Sequence, residues 1–318
     1  MRSSLRLRAG ALLYDWPRFE LNLRTSWIAI RNRNERLTLD GRGARCEWVH
    51  TSDLHIAKVF PSAGARLMRR AFQDWPIVFR DALAPSSTPD VSFVIGHRGL
   101  DRLQHLLATL RSIAGQQDAS VECIVVEQSL APEIAASLPS WVRYFHTPAN
   151  EPYNRAWAFN AGAREARGSV LVLHDNDMIC PARYAAEAAE RAREGWSFLE
   201  LKRFLFYLDA LDARVPENVL QNAQGGSIAA ARDAYFAIGG FDESFVGWGG
   251  EDNEFWERAE TTKSVYAFGY LPFIHLWHAP QAGKQSADAP AVRRYHELKG
   301  IPPEERIRRL LERRRPGG

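Results

Sequence analysis

The rhythm of apolar and polar positions changes near residue 89. Before it, Phe19, Leu21 and Leu23 alternate with polar residues, and Ile28 with Ile30 and Leu37 with Leu39 show the same spacing. A period of two predicts short, half-buried strands. Asp40-Gly41 predicts a turn, residues 65–72 a helix, and Pro85-Ser86-Ser87-Thr88-Pro89 a linker. Beyond the linker, 91–95, 121–126 and the apolar run 170–173 read as strands, with a further short one at 141–145. Between them, Leu103, Leu106, Leu107 and Leu110 repeat at helical spacing, and 156–166 and 182–193 read as helices. This alternation predicts an α/β fold with a mostly parallel sheet and helices on both faces. In such sheets ligands bind beyond the carboxyl ends of the strands. The second half is less regular. A Gly225-Gly226 turn leads into a strand and then a helix from about Arg232. Gly247-Trp248-Gly249-Gly250 precedes the acidic start of another helix. The expected organisation is a small β-containing extension over 1–88, a main domain over 89–295 and a basic tail over 296–318.

Composition narrows the class. With 318 residues, 46% hydrophobic and 25% charged, the chain reads as soluble and globular. Its 41 basic and 38 acidic residues leave +3, too balanced to imply a nucleic-acid partner. The arginines of the last stretch could touch an anionic membrane surface, but a solvated, frayed helix is the preferred reading. Cys46, Cys123 and Cys180 are widely spaced and form no CxxC pair, so neither a disulfide framework nor a thiolate zinc site is expected. The apolar run 9–14 is too short for a signal peptide, and no run approaches the ~20 residues of a membrane helix. The expectation is a cytoplasmic protein, at most peripheral to the inner membrane face.

The strand at 170–173 ends in His174-Asp175-Asn176-Asp177. Carboxylates are rarely buried unpaired, so two at a strand mouth ask for a cation or for many donors. Mn²⁺ or Mg²⁺ suits them, and Asp175 could equally serve a ribose or a metal-bound water. His275 and His278, after another apolar run, are candidates for a further ligand, with His278 preferred. Glu251 and Asp252 are the candidate base and acceptor-binding pair, a role compatible with capping their helix, and Trp248 offers a face for a sugar ring. His97, Arg98 and Arg155 are candidate diphosphate contacts. Glu127 could accept hydrogen bonds from a nucleobase. His50, Asp53 and His55 lie close together but show no recognised ligand spacing, so a structural or surface role is expected.

Pro152-Tyr153-Asn154-Arg155-Ala156 through Asn160-Ala161-Gly162, followed by Asp175-Asn176-Asp177, resembles the nucleotide-sugar site of family 2-like glycosyltransferases of GT-A fold. Gly247-Trp248-Gly249-Gly250-Glu251-Asp252 resembles the acceptor-side motif of β-1,4-galactosyltransferases and bacterial chondroitin-type polymerases. The resemblance covers roughly residues 89–285. It implies metal-dependent transfer of a hexose or N-acetylhexosamine from a UDP-sugar donor to a saccharide acceptor, as in polysaccharide biosynthesis. Carried over by position, it makes Asp177 the Mn²⁺ ligand, completed by His278 or His275, and Asp252 the base, and it brings Asn160 with the donor motif. Asp252 favours inversion, although related retaining enzymes carry a similar element followed by Asn, as Asn253 stands here. Two rivals remain at this point. A nucleotidyltransferase shares the acidic metal ligands but leaves the Trp-Gly-Gly element unexplained. A non-catalytic sugar-binding subunit would be expected to lack metal or base residues.

Overall fold

The computed structural model of the chain describes residues 5–47, 51–149, 152–247, 249–279 and 289–313. Its first segment is helical: α1 (Leu5–Gly10) runs through a π-helical turn (Ala11–Asp15) into α2 (Trp16–Thr25). The strand expected around Phe19 is therefore a helix. Phe19 and Leu23 are buried at helical spacing i,i+4, while Leu21 between them is 63% exposed. The pair Ile28 and Ile30 likewise falls in and after a 3₁₀ turn (Trp27–Ala29). The alternation does hold at β1 (Leu37–Leu39), which pairs with β2 (Ala44–Cys46). The Asp40 carboxylate accepts the N–H groups of Arg42 and Gly43 in the turn between them. β3 (Ser52–Asp53), α3 (His55–Val59) and α4 (Pro61–Asp74) follow.

The alternating part begins at β4 (Val91–His97) and continues with α5 (Leu103–Ala114), β5 (Val121–Ser129), β6 (Arg143–Pro148), α6 (Arg155–Glu165) and β7 (Val170–His174). Then come β8 (Met178–Ile179), α7 (Tyr184–Arg193), β9 (Phe198–Leu199), β10 (Lys202–Leu208), β11 (Asn218–Gln221), β12 (Ser227–Ala231) and α8 (Arg232–Ala237). The chain closes with α9 (Glu251–Glu260), β13 (Val265–Tyr266), β14 (Leu271–Leu276), α10 (Pro290–Lys299) and α11 (Pro303–Arg313).

Two sheets carry the molecule. The larger, seven-stranded one has the order β13-β9-β12-β7-β4-β5-β6. Its β7-β4-β5-β6 part is parallel, and β12 runs antiparallel to β7. Both faces are covered, which explains the continuous apolar run of β7 and the largely apolar 91–95 and 121–126 of β4 and β5. Phe93 and Ile95 share one core with Leu106 and Leu110 of α5, while Val94 and Val126 share another with Phe159 and Ala163 of α6. The smaller sheet has the order β3-β11-β10-β14-β8, with β10 and β14 parallel. Phe204, Phe206 and Leu276 of that sheet bury against Phe19, Leu23, Trp27 and Leu67. The N-terminal segment thus supplies helices and an edge strand to the second sheet.

The C-terminal residues differ from the frayed, solvated helix expected of them. Arg306 and Leu310 of α11 are buried. Arg306 reaches Glu254 at 3.4 Å and Glu257 at 2.6 Å, both on α9. Glu254 is also held by Arg258 at 2.7 Å. Arg308 and Arg309, in the basic stretch for which membrane contact is the less favoured reading, pair with Glu305 within the helix. Among the described residues, no helix is long and apolar enough to cross a membrane.

Candidate active site

The cleft forms where the carboxyl ends of β4 and β7 meet the second sheet. β7 delivers Asp175, whose N–H is fixed by the carbonyl of Gly226 at 2.8 Å. The chain turns and returns as β8, which pairs antiparallel with β14. The Leu276 N–H then donates to the Asp177 carbonyl at 2.8 Å. This cross-sheet tether brings two distant stretches of sequence together. His275 Nε2 lies 3.5 Å from Asp177 Oδ1, and His278 Nε2 lies 3.2 Å from Asp177 Oδ2. One ligand atom from each of Asp177, His275 and His278 lies within 4.8 Å of the others.

Asp177 is only 2% exposed. Burial pushes its carboxyl up, but the hydrogen bond from His278 and the charges of His275 and Arg102 outweigh this and hold it at about 2. Its Oδ1 makes no hydrogen bond. A buried, ionised oxygen beside two imidazoles fits a divalent cation of the Mn²⁺ class, which takes mixed carboxylate and imidazole donors. Tyr207 of β10 stacks on the His275 ring, 4.4 Å between centroids, and limits how that ring can turn.

Asp175 faces a second cluster. Arg155, the first residue of α6, donates to Asp175 at 2.6 Å and to Asp252 at 2.8 Å, and lies 3.5 Å from Glu251. Its helix is started by Asn154, whose side chain accepts the Trp157 N–H at 2.9 Å. The guanidinium also lies over the Phe159 ring, 4.6 Å from its centre. Burial pushes the Asp175 carboxyl up to about 6, against the pull of Arg155 and with the push of Asp177 and Asp252. Glu251 and Asp252 open α9 after Gly250, which caps the helix with a left-handed backbone at φ 86°. Glu251 is turned inward, 7% exposed, and accepts the Gly249 N–H at 3.0 Å. Asp252 lines the cleft against Gly225, where any Cβ would collide with its carboxylate.

The cleft measures about 1470 Å³, and Arg98, Arg155, Asp175, Asp177, Asp252 and His278 all line it. Other residues expected at the donor lie elsewhere. His97 is wholly buried, with Asn176 on its Nδ1 at 2.8 Å and the Gly99 carbonyl on Nε2 at 2.7 Å. Glu127 is buried within β5, where Tyr144, Ser129 and the Glu133 N–H all donate to it. Asn160 is buried too: its side chain binds Tyr235, both backbone groups of Phe241, and Glu243. These three side chains shape the loops around the cleft and do not line it, because their polar atoms are already committed to neighbours. Trp248 and His50 lie outside the described residues. Asp53, grouped with His50 and His55 in the sequence, holds Lys58 and Asn218, as expected of a structural residue. Sequence reasoning missed Arg102, Tyr207 and Gly225. Only Arg102 had a readable signal, a cation just past the end of a buried strand.

The chain matches the family model for glycosyl transferase family 2 over residues 100–199 and that for the N-terminal domain of galactosyltransferase over 210–267. Among curated proteins it is 31% identical over 116 residues to beta-1,4-galactosyltransferase 5 of Danio rerio, 35% of this chain and 27% of that one. It is 32% identical over 113 residues to beta-1,4-galactosyltransferase 6 of Homo sapiens, 34% of this chain and 26% of that one. The chain thus spans about a quarter of the length of these relatives. The crystal structure of GalNAc-T7 with UDP, GalNAc and Mn²⁺ superposes with a TM-score of 0.50 at 13% identity, covering 68% of this chain and 48% of that one.

A mostly parallel sheet with an acid–imidazole centre at its carboxyl edge places the chain in the class of GT-A-fold proteins. Within that class, it carries a family 2-like glycosyltransferase domain.

Proposed function

We propose that the protein transfers a hexose or N-acetylhexosamine from a UDP-sugar to a saccharide hydroxyl, with inversion, in the presence of Mn²⁺ or Mg²⁺. The observation that carries this reading is the shared cleft. Asp177, His275 and His278 gather three candidate cation ligands on one side, Asp252 stands on the other, and Arg155 spans from Asp175 to Asp252. A cation held by these three residues would supply positive charge to the departing nucleoside diphosphate. The relatives named for β-1,4-galactosyl transfer, and the UDP and Mn²⁺ in the GalNAc-T7 structure, support this choice of donor and metal.

Each of the chain's own groups has a task in this reading. Asp252 accepts the proton of the acceptor hydroxyl as that oxygen attacks the anomeric carbon. Arg155 holds the Asp252 carboxylate in place through the 2.8 Å hydrogen bond. Asp175, beside Asp177, faces the donor's ribose or a bound water. Arg98 lines the cleft wall, and a guanidinium there suits a phosphate group. The test is a panel of UDP-sugars, scored for UDP release with Mn²⁺, with and without saccharide acceptors. Acceptor-stimulated UDP release supports the reading. Pyrophosphate as product would point to nucleotidyl transfer, and binding without turnover to a non-catalytic sugar-binding subunit.

A further inference from the structure

Arg102 caps the start of α5 and enters the centre described above. One guanidinium nitrogen lies 3.2 Å from Asp177 Oδ2, and another lies 3.0 Å from His278 Nδ1. It touches two of the three groups that would hold a cation. The chemistry of the second contact is constrained. A guanidinium is always charged and only donates, so His278 Nδ1 must accept there. The ring proton then sits on Nε2, the nitrogen that faces Asp177 Oδ2 at 3.2 Å. An imidazole in that form cannot offer Nε2 to a metal, because ligation needs the Nε2 lone pair and a proton on Nδ1.

A partner for the other tautomer is already in place. The Ala279 carbonyl lies 2.9 Å from the same Nδ1. The ring therefore has two satisfied arrangements. In the first, Arg102 donates to Nδ1 and Nε2–H donates to Asp177. In the second, Nδ1–H donates to Ala279 and the Nε2 lone pair is open toward Asp177. Passing between them moves one proton from Nε2 to Nδ1 through solvent, with no net gain or loss. Arg102 is partly exposed and lines the cleft, so it has room to withdraw.

We propose that Arg102 guards the cation centre: it neutralises Asp177, sets His278 in the tautomer whose Nε2 cannot ligate while occupying its Nδ1, and withdraws before a divalent cation binds. Arg102 is in this sense a positioning residue, acting through His278 and Asp177. The inference rests on the proposed metal role of Asp177, His275 and His278.

The test uses the full chain and Mn²⁺ alone, without nucleotide. Calorimetric titration compares the native protein with Arg102→Met and Arg102→Lys. Removing the competing donor and charge should tighten Mn²⁺ binding roughly tenfold in Arg102→Met, the scale on which groups adjoining a metal's ligands act, with Arg102→Lys in between. Long-range ¹H–¹⁵N spectra of the metal-free proteins should show His278 protonated on Nε2 in the native chain and on Nδ1 in Arg102→Met. A merely structural arginine would not move that signature. Equal or weaker Mn²⁺ binding by a folded Arg102→Met, or an Nδ1–H tautomer in the native chain, overturns the guard. Absence of Mn²⁺ binding in every variant instead overturns the metal centre itself, and the guard with it.

Discussion

Asp252 and Gly225 meet closely enough to make a sharp test at the scale of single residues. Gly225→Ala places a methyl group where the Asp252 carboxylate now stands. The carboxylate must move, and kcat should fall about tenfold while UDP binding holds, since displaced catalytic groups cost at least that much. Asp252→Asn removes the base and should cut turnover about a hundredfold or more with UDP affinity unchanged, as steady-state rates and UDP titration will show. Loss of UDP binding would remove Asp252 from the role of base. Glu251 offers a pH test. Burial and the charge of Asp252 push its carboxyl up to about 7, against the pull of Arg155, from an ordinary value of about 4.5. The folded protein thus holds this proton more tightly than the unfolded chain does. The resulting stabilisation is complete below about pH 4.5 and lost as pH rises through about 7. The stability of the native protein relative to Glu251→Gln should therefore fall by roughly 2 kcal/mol between pH 5 and pH 8 in urea unfolding. A difference that ignores pH contradicts the assignment. Much at this scale was legible in the sequence. Asp175 and Asp177 announce themselves because acids directly after a buried strand need partners. His97, Glu127 and Asn160 misled because a polar residue near a strand end reads the same whether it faces the cleft or props up a loop. Only their hydrogen-bond partners, 79 residues away for His97 and 81 away for Asn160, decide that.

Among the elements, the buried parallel strands were the easiest to foresee. β4, β5 and β7 are covered on both faces, so β7 shows an unbroken apolar run and β4 and β5 are largely apolar, interrupted by Ser92 and Glu122. The N-terminal helices were hidden by an ambiguity of spacing. Phe19 and Leu23 fit both a strand of period two and one face of a helix, and the exposed Leu21 between them completed the false strand pattern. The C-terminal helix was read as a charge run because its anchoring partners lie on α9, far back in the sequence. Arg306 is the decisive residue there, closing a buried network with Glu254, Glu257 and Arg258. Arg306→Ala should destabilise the protein by about 3 kcal/mol, the usual cost of breaking one side of a buried ion pair. A variant as stable as the native chain in urea would return α11 to the frayed helix that the charge pattern implied.

For the whole molecule, the site depends on two sheets meeting. The larger sheet brings Asp175 and Asp177, the smaller brings His275, and the β8–β14 pairing joins them. The smaller sheet in turn rests on the N-terminal helices through Phe204, Phe206 and Leu276. Sequence periodicity carries no record of that pairing, since β8 is two residues long and sits in what reads as a loop. The metal-dependent transfer proposed for this cleft stands or falls with Asp177. The most direct measurement is UDP release from a UDP-sugar with an acceptor present, by the native protein and by Asp177→Ala, each with Mn²⁺ and with EDTA. The account predicts release by the native protein with Mn²⁺ alone, and background rates in the other three conditions. Undiminished release by Asp177→Ala, or by the native protein in EDTA, would contradict it.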